Sequence, residues 1–295
     1  MEATTKNLLR FLILPLVVLA VVLFVADRQV RPDFLLHVDF FDVGQGDSMF
    51  IQTYLGNQIV IDGGPSDQVL SELGKVMPFF DRWIDMLVLT HPHADHVTGL
   101  TDILKRYAVK KVLLPEEKFS SAVYQEFLDL IEKKHIEKIY AQTGERVWLD
   151  PATVFDVYSP PAGQIDETKG SDAFGNNSMD VNDTSIVGKL SFGKTRFLFM
   201  GDAGFAVEQE LIPEFNLQAD VLKVGHHGSR YSSSAEFLQA VSPKYAVIEV
   251  GAKNTYGHPT QQTLDALAAV HAQIFRTDVD HTVEFTSDGT NLAKK

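Results

Sequence analysis

From residue 34 onward, short apolar, β-branched runs alternate with stretches of helical period. Residues 35–43, 49–54 and 58–61 read as three strands, with Gly56-Asn57 turning the chain between the last two. Helical spacing over 67–76 is followed by a buried strand at 84–89. Residues 122–134 predict an amphipathic helix with Val123, Phe127, Leu130 and Ile131 on one face. The stretch 162–182, rich in Gly, Ser, Asn and Asp, reads as a loop or insertion. Strands resume at 184–191 and 196–200 around a Gly193-Lys194 turn, then at 221–224, 245–250, near Ile274 and at 283–286. Helices are expected at 206–211, 235–241 and 260–271. Strands interspersed with helices, with β structure at both ends, predict an α/β protein of two sheets covered by helices.

The N-terminus follows a different pattern. Residues 8–26 are apolar except for Arg10, and 19 residues of helix span roughly 28 Å, close to a bilayer core. No polar face runs along the segment, and Phe24 stands near the only plausible cleavage point, after Ala26, so an uncleaved membrane anchor is expected. The division expected is therefore 1–31, a single-pass anchor in the cell membrane with its flanks, and 32–295, one large domain. Lys6 and Arg10 at the start of the span, with the N-terminal amine, outweigh Arg28 and Arg31 after it and favour the N-terminus inside and the domain outside the cytoplasm.

Composition narrows the chemistry. With no Cys there is no disulfide framework, Cys-ligated zinc site or catalytic thiol. The 295 residues carry a formal charge of −13; beyond residue 31 there are 22 basic and 37 acidic residues, a net −15. That balance excludes tight, sequence-independent attachment to a polyanion such as duplex DNA.

One stretch concentrates candidate ligands. His91-Pro-His93-Ala-Asp95-His96 follows the buried strand at 84–89, and Pro92 and Gly99 mark a turn opening a helix. Alternate residues can aim two imidazoles at one point, while the Asp-His pair faces a second point nearby. Imidazole and carboxylate suit zinc, manganese or iron, and two such clusters sharing a bridging group make a two-metal site. Elsewhere, Asp62 ends a strand before two glycines, Asp202 ends another in Met-Gly-Asp, and His226-His227 follows the strand at 221–224. His258, in Tyr-Gly-His-Pro, precedes a helix. His37, His135, His271 and His281 read as structural or solvated, with His37 and His281 in strands.

His91-x-His93-x-Asp95-His96 resembles the signature of the metallo-β-lactamase fold superfamily. Six further segments resemble, in order, the hydrolase domain of the ComEC family of DNA-uptake channels. They are Phe41-Asp-Val-Gly-Gln-Gly-Asp47-Ser-Met-Phe-Ile51, Ile61-Asp62-Gly-Gly64, Asn182-Asp-Thr-Ser185, Phe199-Met-Gly-Asp202-Ala203, Leu222-Lys-Val-Gly-His226-His227-Gly-Ser229 and Tyr256-Gly-His258-Pro259. The resemblance covers roughly residues 36–290. It implies an αββα sandwich and two divalent ions, Zn2+ or Mn2+, held by His91, His93, Asp95, His96, a bridging Asp202 and one histidine of the pair 226–227. It also implies that Asp62 orients the metal loop. Spacing leaves the order of the pair open; His227 is taken as the ligand and His226 as a phosphate contact or proton donor. Asp95, His226 and His258 are then the candidate catalytic residues, with His258 placed to bond a phosphate or protonate a leaving group. Two departures stand out. The family's multi-helix channel domain is replaced by one apolar span, so any channel would be a separate protein. A histidine that many superfamily members carry about twenty residues before the bridging Asp is also missing. Asn182 or Asp183 falls in its place, which would make the site richer in oxygen and tolerant of manganese.

These residues predict a metal-dependent hydrolase of phosphoesters, and the resemblance implies a phosphodiesterase or nuclease acting on DNA, with single-stranded DNA as the candidate substrate. The rivals are an envelope phosphodiesterase of the teichoic-acid phosphocholine esterase type and a metal-binding module without catalysis.

Overall fold

The computed structural model describes residues 13–20, 33–116, 119–161 and 181–295. Fifteen strands form two sheets. The first runs in the spatial order β15 (Leu292–Lys294), β14 (Val283–Ser287), β1 (Leu36–Phe40), β2 (Met49–Gln52), β3 (Gln58–Ile61), β4 (Trp83–Val88), β5 (Ala108–Leu114) and β6 (Glu137–Tyr140). The second runs β13 (Gln273–Arg276), β12 (Tyr245–Ile248), β11 (Val221–Lys223), β10 (Thr195–Phe199), β9 (Val187–Phe192), β8 (Thr153–Ser159) and β7 (Arg146–Trp148).

The two-residue period of the strands sorts their side chains into layers. Val38, Phe40, Ile51, Ile61 and Met86 meet Phe155, Leu190, Phe197, Phe199 and Val247 between the sheets. Neighbouring residues on the same strands point the other way. Phe50, Val60, Leu87 and Val112 pack under the helices Gln68–Val76, Ala94–Arg106 and Ala122–Lys133. Leu198, Leu222 and Ala246 pack under Phe205–Glu214, Ala235–Val241 and Gln261–Ala269. Three apolar layers between four layers of secondary structure make the expected αββα sandwich.

Strands β3 to β6 are mutually parallel, as are β10 to β13. Their carboxyl ends open onto one edge of the sandwich, where ligands bind in open α/β sheets. Asp62 follows β3, His91 and His93 follow β4, Asp202 follows β10, and His226 and His227 follow β11. A hydrogen bond from the Ile186 N–H to the Thr90 carbonyl (3.0 Å) ties the two sheets together at this edge.

Several expectations are corrected. The single-pass anchor over 8–26, and with it the membrane location and extracytoplasmic domain, is not upheld: among the described residues no helix is long and apolar enough to cross a membrane. Residues 13–20 of that stretch are helical and exposed; the rest of it lies outside the described residues. Most of the loop expected at 162–182 also lies outside them, and Val181–Thr184 forms a 3₁₀ turn ahead of β9. Strands β5 to β8 and β15 had no counterpart in the pattern reading. His281 lies just past the short helix Thr277–Asp280, not in a strand.

Candidate metal centre

Local backbone geometry builds the centre. Asp62 has φ 56°, an unusual conformation for a non-glycine residue. Its neighbour Gly63 packs against the helix that begins at Ala94: a Cβ at Gly63 would lie 2.2 Å from the Leu100 nitrogen, and one at Gly99 would lie 1.9 Å from the Gly63 oxygen. Only glycine at both places lets this helix start so close to β3. The Gly63 N–H donates to the His96 carbonyl (2.7 Å) and locks the two segments together.

From there Asp62 organises the ligand loop. One carboxylate oxygen accepts from the Thr90 N–H (2.8 Å); the other accepts from the Thr90 hydroxyl (2.6 Å) and from His96 Nδ1 (2.8 Å). Because the Thr90 hydroxyl spends its proton on Asp62, it accepts from His91 Nδ1 (3.1 Å). His227 Nδ1 donates to the Glu249 carbonyl (2.9 Å). Each bond places the ring proton on Nδ1, so the Nε2 lone pairs of His91, His96 and His227 all face the centre.

Four side chains converge there. His96 Nε2 and His227 Nε2 each lie 3.5 Å from Asp202 Oδ2; His227 Nε2 is 3.5 Å from Asp95 Oδ2, and His96 Nε2 is 4.0 Å from Asp95 Oδ1. Donors about 2.1 Å from a shared tetrahedral ion lie roughly 3.4 Å apart. His96 Nε2, His227 Nε2 and Asp202 Oδ1 are buried and make no hydrogen bond, an expensive arrangement unless a cation satisfies them. On the other side of Asp202, His91 Nε2 lies 3.9 Å from Oδ2 and 3.1 Å from His93 Nδ1. The residues present therefore fit metal on both sides of Asp202.

The electrostatics agree. Burial opposes charge on His96 and His227, but the carboxylates override it: Asp202, Asp62 and Asp95 hold His96 well above the usual imidazole range. Asp202 and Asp47 push His227 up to about 10. Asp202 is held well below the carboxylate range although burial works against it, because His227, His96 and His91 surround it. The pocket's field favours positive charge.

A cavity of about 340 Å³ opens over Asp202, lined by Gln45, His93, Asp95, Asn182, His226, His227, Tyr256 and His258 among others. His226 reaches it from the left-handed pair His226-His227 (φ 48° and 52°), with Nε2 3.9 Å from Asp202 Oδ2. His227 turns inward and is buried, whereas His226 stays partly exposed. His258 faces His226 edge-on at 5.7 Å, and burial, with His226 and His227 beside it, lowers its imidazole to about 4. Asn182 lines the cavity, while the Asp183 carboxylate accepts from the Gly204 N–H (3.2 Å), so of the two it is Asn182 that faces the site. His37, His135, His271 and His281 do not line it.

Sequence reasoning quoted Asp47 and Lys223 within their motifs without giving them a part. Both are fully buried and form an ion pair beneath the site. Asp47 Oδ1 lies 3.2 Å from His227 Nδ1, and Lys223 also donates to the Gly201 carbonyl (3.0 Å). A charged residue two places before a glycine and two histidines, at the end of an apolar strand, was the available signal.

Residues 41–251, more than half of the chain, match the metallo-beta-lactamase superfamily. The chain belongs to that superfamily. It is 30% identical over 266 residues to ComE operon protein 3 of Bacillus subtilis, an alignment covering 84% of this chain and 32% of that protein. It is 28% identical to competence protein ComA of Neisseria gonorrhoeae, over 92% of this chain and 35% of the relative. The chain thus spans about a third of the length of these relatives. Among solved structures, the diiron β-hydroxylase CmlA of Streptomyces venezuelae superposes with a TM-score of 0.54 at 14% identity, covering 85% of this chain and 54% of CmlA. Zn2+-bound PqqB of Methylobacterium extorquens gives 0.51 at 11%, covering 83% and 99%. These two share the fold. Superfamily membership and the donor cluster support the coarse reading, a metal-dependent hydrolase related to competence proteins.

Proposed function

We propose that this protein is a two-metal phosphodiesterase that acts on DNA. The observation carrying this reading is the convergence of Asp95, His96, Asp202 and His227, with buried donor atoms that have no hydrogen bond, beneath a cavity edged by two more histidines. Likeness to competence proteins supports DNA as the substrate.

In this reading Asp95, His96, Asp202 and His227 hold one Zn2+ or Mn2+. His91, His93 and Asp202, with the Asn182 amide oxygen, hold the other. Bound metals would activate a water at neutral pH and draw charge from the phosphoryl oxygens. Asp62 keeps His96 aimed, Thr90 keeps His91 aimed, and Asp47 with the Glu249 carbonyl keeps His227 aimed. His258, neutral at pH 7, offers an N–H to a phosphoryl oxygen, and the incoming anion would raise its proton affinity. His226 stands on the same wall as a second donor.

The test is hydrolysis by the purified protein, with Mn2+ or Zn2+ added, of single-stranded DNA, bis-p-nitrophenyl phosphate and a phosphocholine ester. Metal-dependent DNA cleavage that disappears in His93→Ala is expected. Turnover of the phosphocholine ester alone would replace DNA by an envelope substrate. Metal binding without any hydrolysis would leave a binding module.

A further inference from the structure

Tyr256 stands at the mouth of the cavity with 69% of its surface exposed, although its ring is held in place. One face stacks on His258, centroids 5.9 Å apart and planes 26° from parallel. The loop that carries it is cross-braced by Asn254, whose side-chain N–H groups reach the carbonyls of Gly251 (2.9 Å) and His258 (2.8 Å). The Asn254 side-chain oxygen Oδ1 accepts from the His258 backbone N–H (3.0 Å). Gly257, with φ 72°, supplies the left-handed turn between the two rings. An exposed aromatic ring fixed in this way has already lost its rotational freedom and offers a flat apolar face beside the metal donors. Tyr231, 65% exposed with Arg230 over its ring at 5.8 Å, follows the His226-His227 loop at Ser229.

We propose that Tyr256 is a stacking platform that seats an unpaired nucleobase beside the metal pocket and selects single-stranded over duplex nucleic acid. This rests on the phosphodiesterase reading above and names its substrate class. Two considerations carry it. A duplex keeps its bases stacked on each other, so only an unpaired base has a face to offer Tyr256. The chain is also strongly acidic, so hold on a polyanion through surface charge is poor, whereas base stacking needs no net positive charge and tolerates any sequence. Arg230 supplies a local cation near the ring pair, close enough to His258 to oppose its protonation.

The experiment compares the wild type with Tyr256→Ala and Tyr256→Phe on three substrates: a single-stranded oligonucleotide, its duplex, and an abasic oligonucleotide of the same backbone. Stacking is worth roughly 5- to 100-fold per base, so Tyr256→Ala should raise KM for the single strand by about that factor with kcat retained. Tyr256→Phe should restore KM, which also shows that the loop still folds. Cleavage of the abasic strand should be the same in wild type and Tyr256→Ala. An equal loss on abasic and normal strands, or no loss on either, would overturn the platform. A wild type that cleaves no oligonucleotide under any metal condition would instead sink the phosphodiesterase reading, and the platform with it.

Discussion

The two sides of Asp202 are built to different strengths. On one, the Nε2 atoms of His96 and His227 each lie 3.5–4.0 Å from the carboxylates of both Asp95 and Asp202. On the other, His91 Nε2 lies 3.9 Å from Asp202 Oδ2 and 3.1 Å from His93 Nδ1, and the neutral amide of Asn182 lines the same cavity as His93. Charge and donor number set divalent-ion affinity. Under the proposed two-metal reading, the first side holds the tighter ion and the second the more exchangeable one.

The largest break would come from Asp202→Ala, which removes the donor common to both sides. Bound metal measured by elemental analysis should vanish, and hydrolysis should fall by roughly a thousandfold or more. Retained metal and activity would show that Asp202 bridges nothing. Next, Asp62→Ala frees the Nδ1 end of His96 and loosens Thr90 behind His91. Metal affinity from competition titration should drop about 10–100-fold, with losses on both sides. A drop confined to one ion would show that Asp62 serves only one side.

Asn182→His sharpens the contrast by supplying an imidazole to the weaker side. After exhaustive dialysis the wild type should retain about one ion per chain and the variant about two, read by elemental analysis. Two ions retained by both would make the sides equal. The last effect bears on stability rather than on metal or turnover and lies outside the centre, at Asp39 on β1. Burial, with Glu284 opposite it, raises its carboxyl to about 7 from 3.8. The folded state therefore holds the proton more tightly than the unfolded state. The stability this provides is complete below pH 3.8 and is lost as pH rises through 7. Asp39→Asn should resist urea better at pH 8 by about 2–4 kcal/mol and match the wild type near pH 3. No gain at pH 8 would mean that Asp39 is already solvated.

Much of the centre was legible because its parts are local. His91, His93, Asp95 and His96 lie within six residues, at the junction of an apolar strand and a helix; the fold brings His91 and His96 against Asp202 and sets His93 and Asp95 in the cavity wall. The outer strands were harder to read. β5 mixes Lys110 and Lys111 with its valines, and β6 is exposed at the sheet edge, so neither shows a clean apolar run. β8 alternates buried and half-buried residues from Thr153 to Ser159, a period-two pattern that was open to reading. The apolar N-terminal run invited a membrane span on length and hydropathy, whereas among the described residues no helix is long and apolar enough to cross a membrane.

The order of ligand types along the chain, the glycines beside Asp62 and the apolar periods of the main strands were determined by the sequence, because each depends on residues a few positions apart. Only the tertiary structure decided between His226 and His227, or between Asn182 and Asp183, as the side chain turned toward the centre. Neighbours in sequence are chemically alike, and the choice rests on partners 21 or more residues away: the Glu249 carbonyl holding His227, and the Gly204 amide holding Asp183. The buried Asp47–Lys223 pair beneath them joins residues 176 positions apart, a distance that no periodicity or local spacing reports.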